Sequence, residues 1–179
     1  MEIKRIHILG ASGSGTSTLG RLIEAEYGFV HLDTDNYYWL STNPPFTTPR
    51  EKTERIKLLK EDILQNEKCV ISGSLCGWGD VLIPYFDLII RVVTSTDIRI
   101  ERLKQREFKR FGERILINGD MYEEQQKFIV WASQYDTAGV DMRSKALHDK
   151  WLSEISCRKI EIDGTHIEDE IKLFKNYLK

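Results

Sequence analysis

No apolar run in this chain approaches the roughly 20 residues that a membrane-spanning helix needs. The opening stretch MEIKRIHILG has no signal-peptide core before polar sequence resumes, so the expected location is the cytoplasm, with no membrane as partner. Three cysteines, Cys69, Cys76 and Cys157, are too few and too irregularly spaced for a zinc site or a disulfide framework. Idle thiols in a reducing compartment are expected instead. Excess charge is also lacking. The 26 basic and 28 acidic side chains leave a net charge of −2, which argues against nucleic acid as a partner. The four histidines, His7, His31, His148 and His166, have neither metal nor relay spacing, and the first two are expected to be structural. Repeats, low-complexity tracts and linker-like stretches are absent, so residues 1–179 are expected to form a single domain.

What is present is a globular composition, 41% hydrophobic and 30% charged. Strands are predicted over 3–9, 29–33, 68–75, 86–94 and 157–163. The first helix is predicted over 17–27, with Leu19, Leu22, Ile23 and Tyr27 on one face. A second spans 47–66, with a threonine cap and Pro49 just inside. Others cover 95–112, 121–136, 142–153 and 167–178, while three prolines make 37–49 a loop. Strands alternate with helices, which predicts a parallel sheet covered on both faces. Ligands of such sheets lie beyond the carboxyl ends of the strands.

The most specific stretch is HILGASGSGTSTLG, residues 7–20. It reads as a strand, a glycine-rich turn and a helix, in the spacing of a phosphate-binding loop. Gly10 opens the pattern, Gly15 closes it, and Ser17 takes the position whose hydroxyl serves Mg²⁺. The expected phosphate contacts are Gly10, Ser12, Gly13, Ser14, Gly15, Thr16, Ser17 and Thr18. Thr16 stands where the pattern has lysine, so the point charge for the β and γ phosphates is missing. Lys4 and Arg5 lie roughly 15–20 Å away along the strand and are poor substitutes.

Other residues gather at the same edge. Asp33 and Asp35 follow the second strand. On an extended segment they project to one side, where Asp33 holds Mg²⁺ and Asp35 orients or deprotonates an acceptor. An aspartate-rich turn capping the next segment is the other reading. Tyr38, Trp39 and Trp78 offer flat faces for a base or sugar, or else pack a proline-rich loop, and Asp80 sits at the mouth of the cleft. Arg99, Arg102, Arg106 and Arg110 recur at helical steps and form a basic stripe suited to phosphates. Glu101 and Glu107 have no basic residue four positions on, so a simple salt-bridged surface helix is the weaker account. One or two of Arg102, Arg106 and Arg110 are therefore expected to take over part of the missing lysine's role.

GASGSGTST resembles the glycine loop of the nucleoside monophosphate kinase and shikimate kinase branch of P-loop kinases, the adenylate kinase-like proteins, at every motif position except the lysine. HLDTDNYYW is similar to the Asp-x-Asp segment of shikimate kinases and the Asp-x-Phe-Tyr of uridine kinases. Together with PPFTT, SGSLCGWGD and MRSKALH, these stretches resemble a group of bacterial proteins called adenylate kinase by similarity. The resemblance implies a P-loop NTPase fold, a three-layer α/β/α domain with a five-stranded parallel sheet in the order 2-3-1-4-5. It also implies a helical acceptor-side insert at 37–66, a lid near 99–120, and ATP and Mg²⁺ as ligands. Gly164 would then lie where the branch cradles adenine, and Arg143 would reach the site from beyond the lid. SGSL stands where adenylate kinases carry an arginine motif, which leaves the acceptor open. Two functions follow as expectations. One is an ATP-dependent kinase for a nucleotide, nucleoside or other small acceptor, acting as monomer or homodimer. The other is a nucleotide-binding protein with little or no phosphotransfer.

Overall fold

The computed structural model describes residues 2–178. Five short segments rich in branched apolar residues pair in parallel: β1 (Arg5–Gly10), β2 (Val30–Asp33), β3 (Cys69–Ser72), β4 (Leu88–Val93) and β5 (Arg158–Asp163). Their order is β2-β3-β1-β4-β5, as the resemblance implies. In the central strand, Ile6 sits opposite Val70 and Leu88, and Ile8 opposite Ser72 and Ile90. Parallel neighbours require crossover connections, and helices supply them. They are α1 (Thr16–Tyr27), α2 (Thr34–Tyr38), α3 (Lys52–Gln65), α4 (Thr96–Phe111), α5 (Tyr122–Ser133), α6 (Lys145–Ser153) and α7 (Ile167–Phe174). None of the described helices is long and apolar enough to cross a membrane.

Strand alternation divides the core in two. Ile6, Ile8, Val70, Leu88 and Ile90 face α1 and α7, burying Leu19, Ile23, Ile171 and Phe174. Leu9, Cys69, Ile71 and Ile89 face the other way, against Leu59 and Ile63 of α3 and Trp151 of α6. Cys69, Cys76 and Cys157 are free thiols.

Two predicted boundaries move for identifiable reasons. The helix expected from Thr47 begins at Lys52, because Pro49 bridges Trp39 and the Arg50 N–H donates to the Tyr38 carbonyl at 2.7 Å. That pairing keeps 49–50 extended and removes the expected cap. The segment after β2 is not extended either. Asp33 caps α2 by accepting from the Asp35 N–H at 3.1 Å.

Two histidines are sealed in this core. His7 stacks on Phe86 at 5.1 Å and donates from Nε2 to the Gly73 carbonyl at 2.8 Å. His148 lies between Ser74 Oγ, 3.2 Å from Nε2, and the Tyr135 hydroxyl, 2.8 Å from Nδ1. Burial opposes protonation of both, pushing His7 down to about 4 and His148 to about 3. Unfolded histidines take up protons near pH 6.5, so between that value and the folded values the unfolded chain binds more protons. Stability therefore falls as pH drops below 6.5. Each histidine should cost about 2 kcal/mol at pH 5. Urea unfolding at pH 7 and pH 5 checks this, and His148→Gln should be less stable at pH 7 yet show a shallower pH slope.

Candidate functional site

The turn between β1 and α1 is built by backbone geometry. Gly13 has φ +81° and Gly15 φ +107°, both in the left-handed region that favours glycine. A Cβ on Gly13 would lie 2.6 Å from the Arg99 carbonyl oxygen, so the turn is pressed against the start of α4. Gly15 caps α1 without a side-chain hydrogen bond, and the first turn of α1 holds no acidic residue. The helix thus presents free N–H groups and its positive end with nothing of its own to neutralise them. Such an end is suited to phosphate.

This end opens into a cavity of about 760 Å³ beyond the carboxyl ends of the strands. Of the expected phosphate contacts, Gly13, Gly15, Thr16, Ser17 and Thr18 line it. Gly10, Ser12 and Ser14 do not. Gly10 ends β1, where a Cβ would meet the Val92 carbonyl oxygen at 2.6 Å. Ser12 is half-buried in the turn. Ser14 is fully buried, its carbonyl accepts from Thr94 Oγ1 at 3.0 Å, and its hydroxyl has no partner among the described residues. These three shape the loop from behind.

Asp33 and Asp35 both line the cavity, although not by the expected strand geometry. Asp33 accepts from Ser17 Oγ at 2.7 Å through Oδ2 and from the Asp35 N–H through Oδ1. A hydroxyl and a carboxylate are thereby placed side by side at the mouth of the loop. That donor set suits Mg²⁺, which takes few protein oxygens and keeps water and phosphate ligands. Among the described residues no cluster of three or more His, Cys, Asp or Glu side chains could hold a metal by itself. The Asp35 carboxyl is raised above the usual carboxylate range. Crowding by surrounding protein, on a side chain that keeps an exposed surface, is the main cause, followed by the Asp33 charge, while Arg143, Arg106 and Arg110 pull it back.

The arginine stripe divides on folding. Arg99 is wholly buried and faces away from the cavity. It donates to the Thr94 and Ala132 carbonyls and pairs with Asp136 at 2.8 Å. Arg102 lines the cavity, but its guanidinium is held by the carbonyls of Gly164 at 2.9 Å and Thr165 at 3.0 Å. The charge expected to face the phosphate end is committed to the opposite wall, where Gly164 also lies. Arg106 and Arg110 remain on the wall that acts on Asp35. Glu107, read from spacing as lacking a partner, is buried and pairs with both. The contacts run to neighbours one position before and three after, so a search four positions on misses them.

The expected acceptor-side residues do not line this cavity, and each has contacts elsewhere. Trp78 is 7% exposed and donates Nε1 to the Ser74 carbonyl. Tyr38 packs between Trp39, Trp78 and the Arg55 guanidinium, which lies 3.8 Å from its ring centre. Trp39 is bridged to Pro49 and packs on Phe46. Asp80 accepts from Trp151 Nε1 at 2.7 Å. Arg143 lies over Trp131, outside the cavity lining, although its charge reaches Asp35. A residue that pattern reading passed over, Arg21, does line the cavity. It follows Ser17 by four positions, hence on the same face of α1, and that spacing was the available signal.

A glycine-rich strand-to-helix turn at the central strand of a 2-3-1-4-5 sheet defines a P-loop protein with a kinase-like fold. Residues 6–115 match the family described as AAA domain, and the chain belongs to that family. It is also similar to an uncharacterised protein of Bacillus subtilis (strain 168), YqaC, with 48% identity over 176 residues, 98% of this chain and 97% of the relative. Among solved structures, a shikimate kinase from Acinetobacter baumannii in complex with shikimate has a TM-score of 0.56 at 15% identity, over 99% of this chain and 96% of its own. A deoxyadenosine kinase from M. mycoides with bound dATP has a TM-score of 0.54 at 17% identity, over 97% and 98%. At these identities the likeness is one of fold.

The loop geometry gives a direct test. Gly13→Ala places a side chain at positive φ and against backbone that cannot swing aside. Its stability should drop by about 1–3 kcal/mol in thermal unfolding.

Proposed function

We propose that the protein is an adenylate kinase-like phosphotransferase. It would move the γ-phosphoryl group of ATP to a small acceptor, a nucleotide or nucleoside before other metabolites. The observation that carries this is the joining of four parts in one cavity: the N–H-rich end of α1, the Ser17–Asp33 pair, Asp35 and the Arg106–Arg110 wall. A protein that only held a nucleotide would not need the last two together. The kinase names of two structural neighbours agree with the reading through fold alone.

In this reading the backbone of Gly13, Gly15 and Thr16 receives the phosphates. Ser17 and Asp33 hold Mg²⁺, which when bound screens phosphate charge. Asp35, with its raised pKa, takes the proton of an acceptor hydroxyl as the new P–O bond forms, the bond to the β-phosphate oxygen breaks and ADP leaves. Arg106 and Arg110 stabilise the charge that spreads over the transferring group. Gly164 borders the base, with Arg102 fixing the carbonyls there. Residues 37–66 form the acceptor-side insert and 99–120 the lid of a single domain. The protein would work in the cytoplasm, as monomer or homodimer, without nucleic acid.

Incubation with Mg²⁺ and γ-labelled ATP against nucleoside monophosphates, nucleosides and small metabolites tests this. A labelled product is expected, with Asp35→Asn losing about 100-fold or more in rate. Because Asp35 is raised, the rate should climb with pH through a point above the ordinary carboxylate range, and the Asn variant should lose that limb. An acceptor phosphate needs no base, so transfer that survives in Asp35→Asn would assign that acceptor class. ATP binding without transfer to any acceptor would favour the second reading, a nucleotide-binding protein. Thr16 at the lysine position is the feature that speaks for it.

A further inference from the structure

Two arginines on the cavity wall share one buried carboxylate. Glu107 is 5% exposed, whereas the side chains of Arg106 and Arg110 are 48% and 41% exposed. Arg106 approaches Glu107 Oε1 with Nε at 2.7 Å and Nη2 at 2.6 Å. Arg110 Nη1 stands 3.7 Å from the same oxygen. The carboxylate thus lies beneath the two guanidinium groups, on the protein side, and they lie between it and the cavity.

This arrangement has three consequences. A guanidinium has five N–H donors, and the contact with Glu107 occupies one edge of Arg106, so the remaining donors are free to take phosphate oxygens. Two like charges on adjacent turns repel, and a carboxylate between them offsets that repulsion while leaving the trio at net +1. Long arginine side chains lose conformational freedom when they bind a ligand, and a prior anchor removes part of that loss. The feature matters in this chain because Thr16 brings no charge to the loop, Arg99 is buried elsewhere and Arg102 is held by carbonyls.

We propose that Glu107 is a positioning residue. It holds Arg106 and Arg110 at the cavity wall, so that charge absent from the glycine loop is delivered from α4. The proposal rests on the reading of this cavity as the ATP site. Its mode of action is distinct, because Glu107 touches no ligand and works through the two arginines.

A double-mutant cycle separates this role from plain support of the fold. ATP·Mg²⁺ binding is measured by calorimetry for the unsubstituted chain, Glu107→Gln, Arg106→Ala/Arg110→Ala, and the triple variant. Glu107→Gln keeps the shape and removes the charge, and it should weaken ATP binding about tenfold. In the background without the two arginines the same substitution should change affinity less than about twofold. Glu107→Asp keeps the charge but withdraws it by one methylene. It should fall between the two, which keeps the proposal testable if the Gln variant does not fold. An equal loss with and without the arginines would overturn the proposal, as would no loss in Glu107→Gln. Failure of the unsubstituted chain to bind ATP would overturn both this proposal and the ATP-site reading. Binding with an additive cycle would overturn this one alone.

Discussion

Asp33 uses both of its oxygens, and the site depends on that. One oxygen receives the Ser17 hydroxyl at 2.7 Å and so ties the first turn of α1 to the end of β2. The other receives the Asp35 N–H and starts α2. A single carboxylate therefore fixes the distance between the glycine loop and the residue best placed to handle an acceptor. Substituting it would release two elements at once, because β2 is an edge strand joined to the sheet only through β3. The short α2 is what turns Asp35 toward the cavity. An extended continuation would have carried the chain past it.

Charge around the cavity follows from how α4 docks. Its N-terminal arginine enters the core and binds the Thr94 and Ala132 carbonyls, the next reaches across to Gly164 and Thr165, and only the last two stay on the side of Asp35. A helix that shows four arginines in sequence thus delivers two to the Asp35 wall. The press of the Gly13 turn against the Arg99 carbonyl is the mechanical counterpart. The phosphate loop and the arginine helix are positioned by the same contact, so the loop cannot shift without α4.

The strands and the loop were legible because both rest on local signals, whereas the strand order came only from the family resemblance. Branched apolar runs, glycines at fixed offsets and a following helix need no tertiary knowledge. Within the site, the glycine loop and the side chains of Ser17, Asp33, Asp35, Arg106 and Arg110 were read to the edge where the cavity lies. The aromatic residues were less legible, since a linear pattern cannot say whether a ring meets a ligand or a neighbour, as Tyr38 meets Trp78. Trp78 finds Ser74 close by, but Asp80 meets Trp151 across 71 positions. Glu107 was misread for a different reason. Its partners lie on the adjacent position and the next turn, and burial rather than spacing makes the contact significant.

Arg110 touches two parts of the protein at once. Its guanidinium lies 4.9 Å from the centre of the Phe46 ring, while Nη1 faces Glu107. Phe46 belongs to the proline-rich segment between α2 and α3, and Trp39 packs on its ring. Arg114, beyond the end of α4, is held by Asp120 and comes within 3.5 Å of Asn43 in the same segment. The proline-rich segment and the C-terminal end of α4 are thus linked through arginines. Such links weaken with salt where they are exposed and strengthen where water is excluded. A ligand that fills the cavity and expels water would tighten the same contacts that hold Arg110 in place. The aromatic pair Trp39 and Phe46 thus bears on where the Arg110 side chain comes to rest.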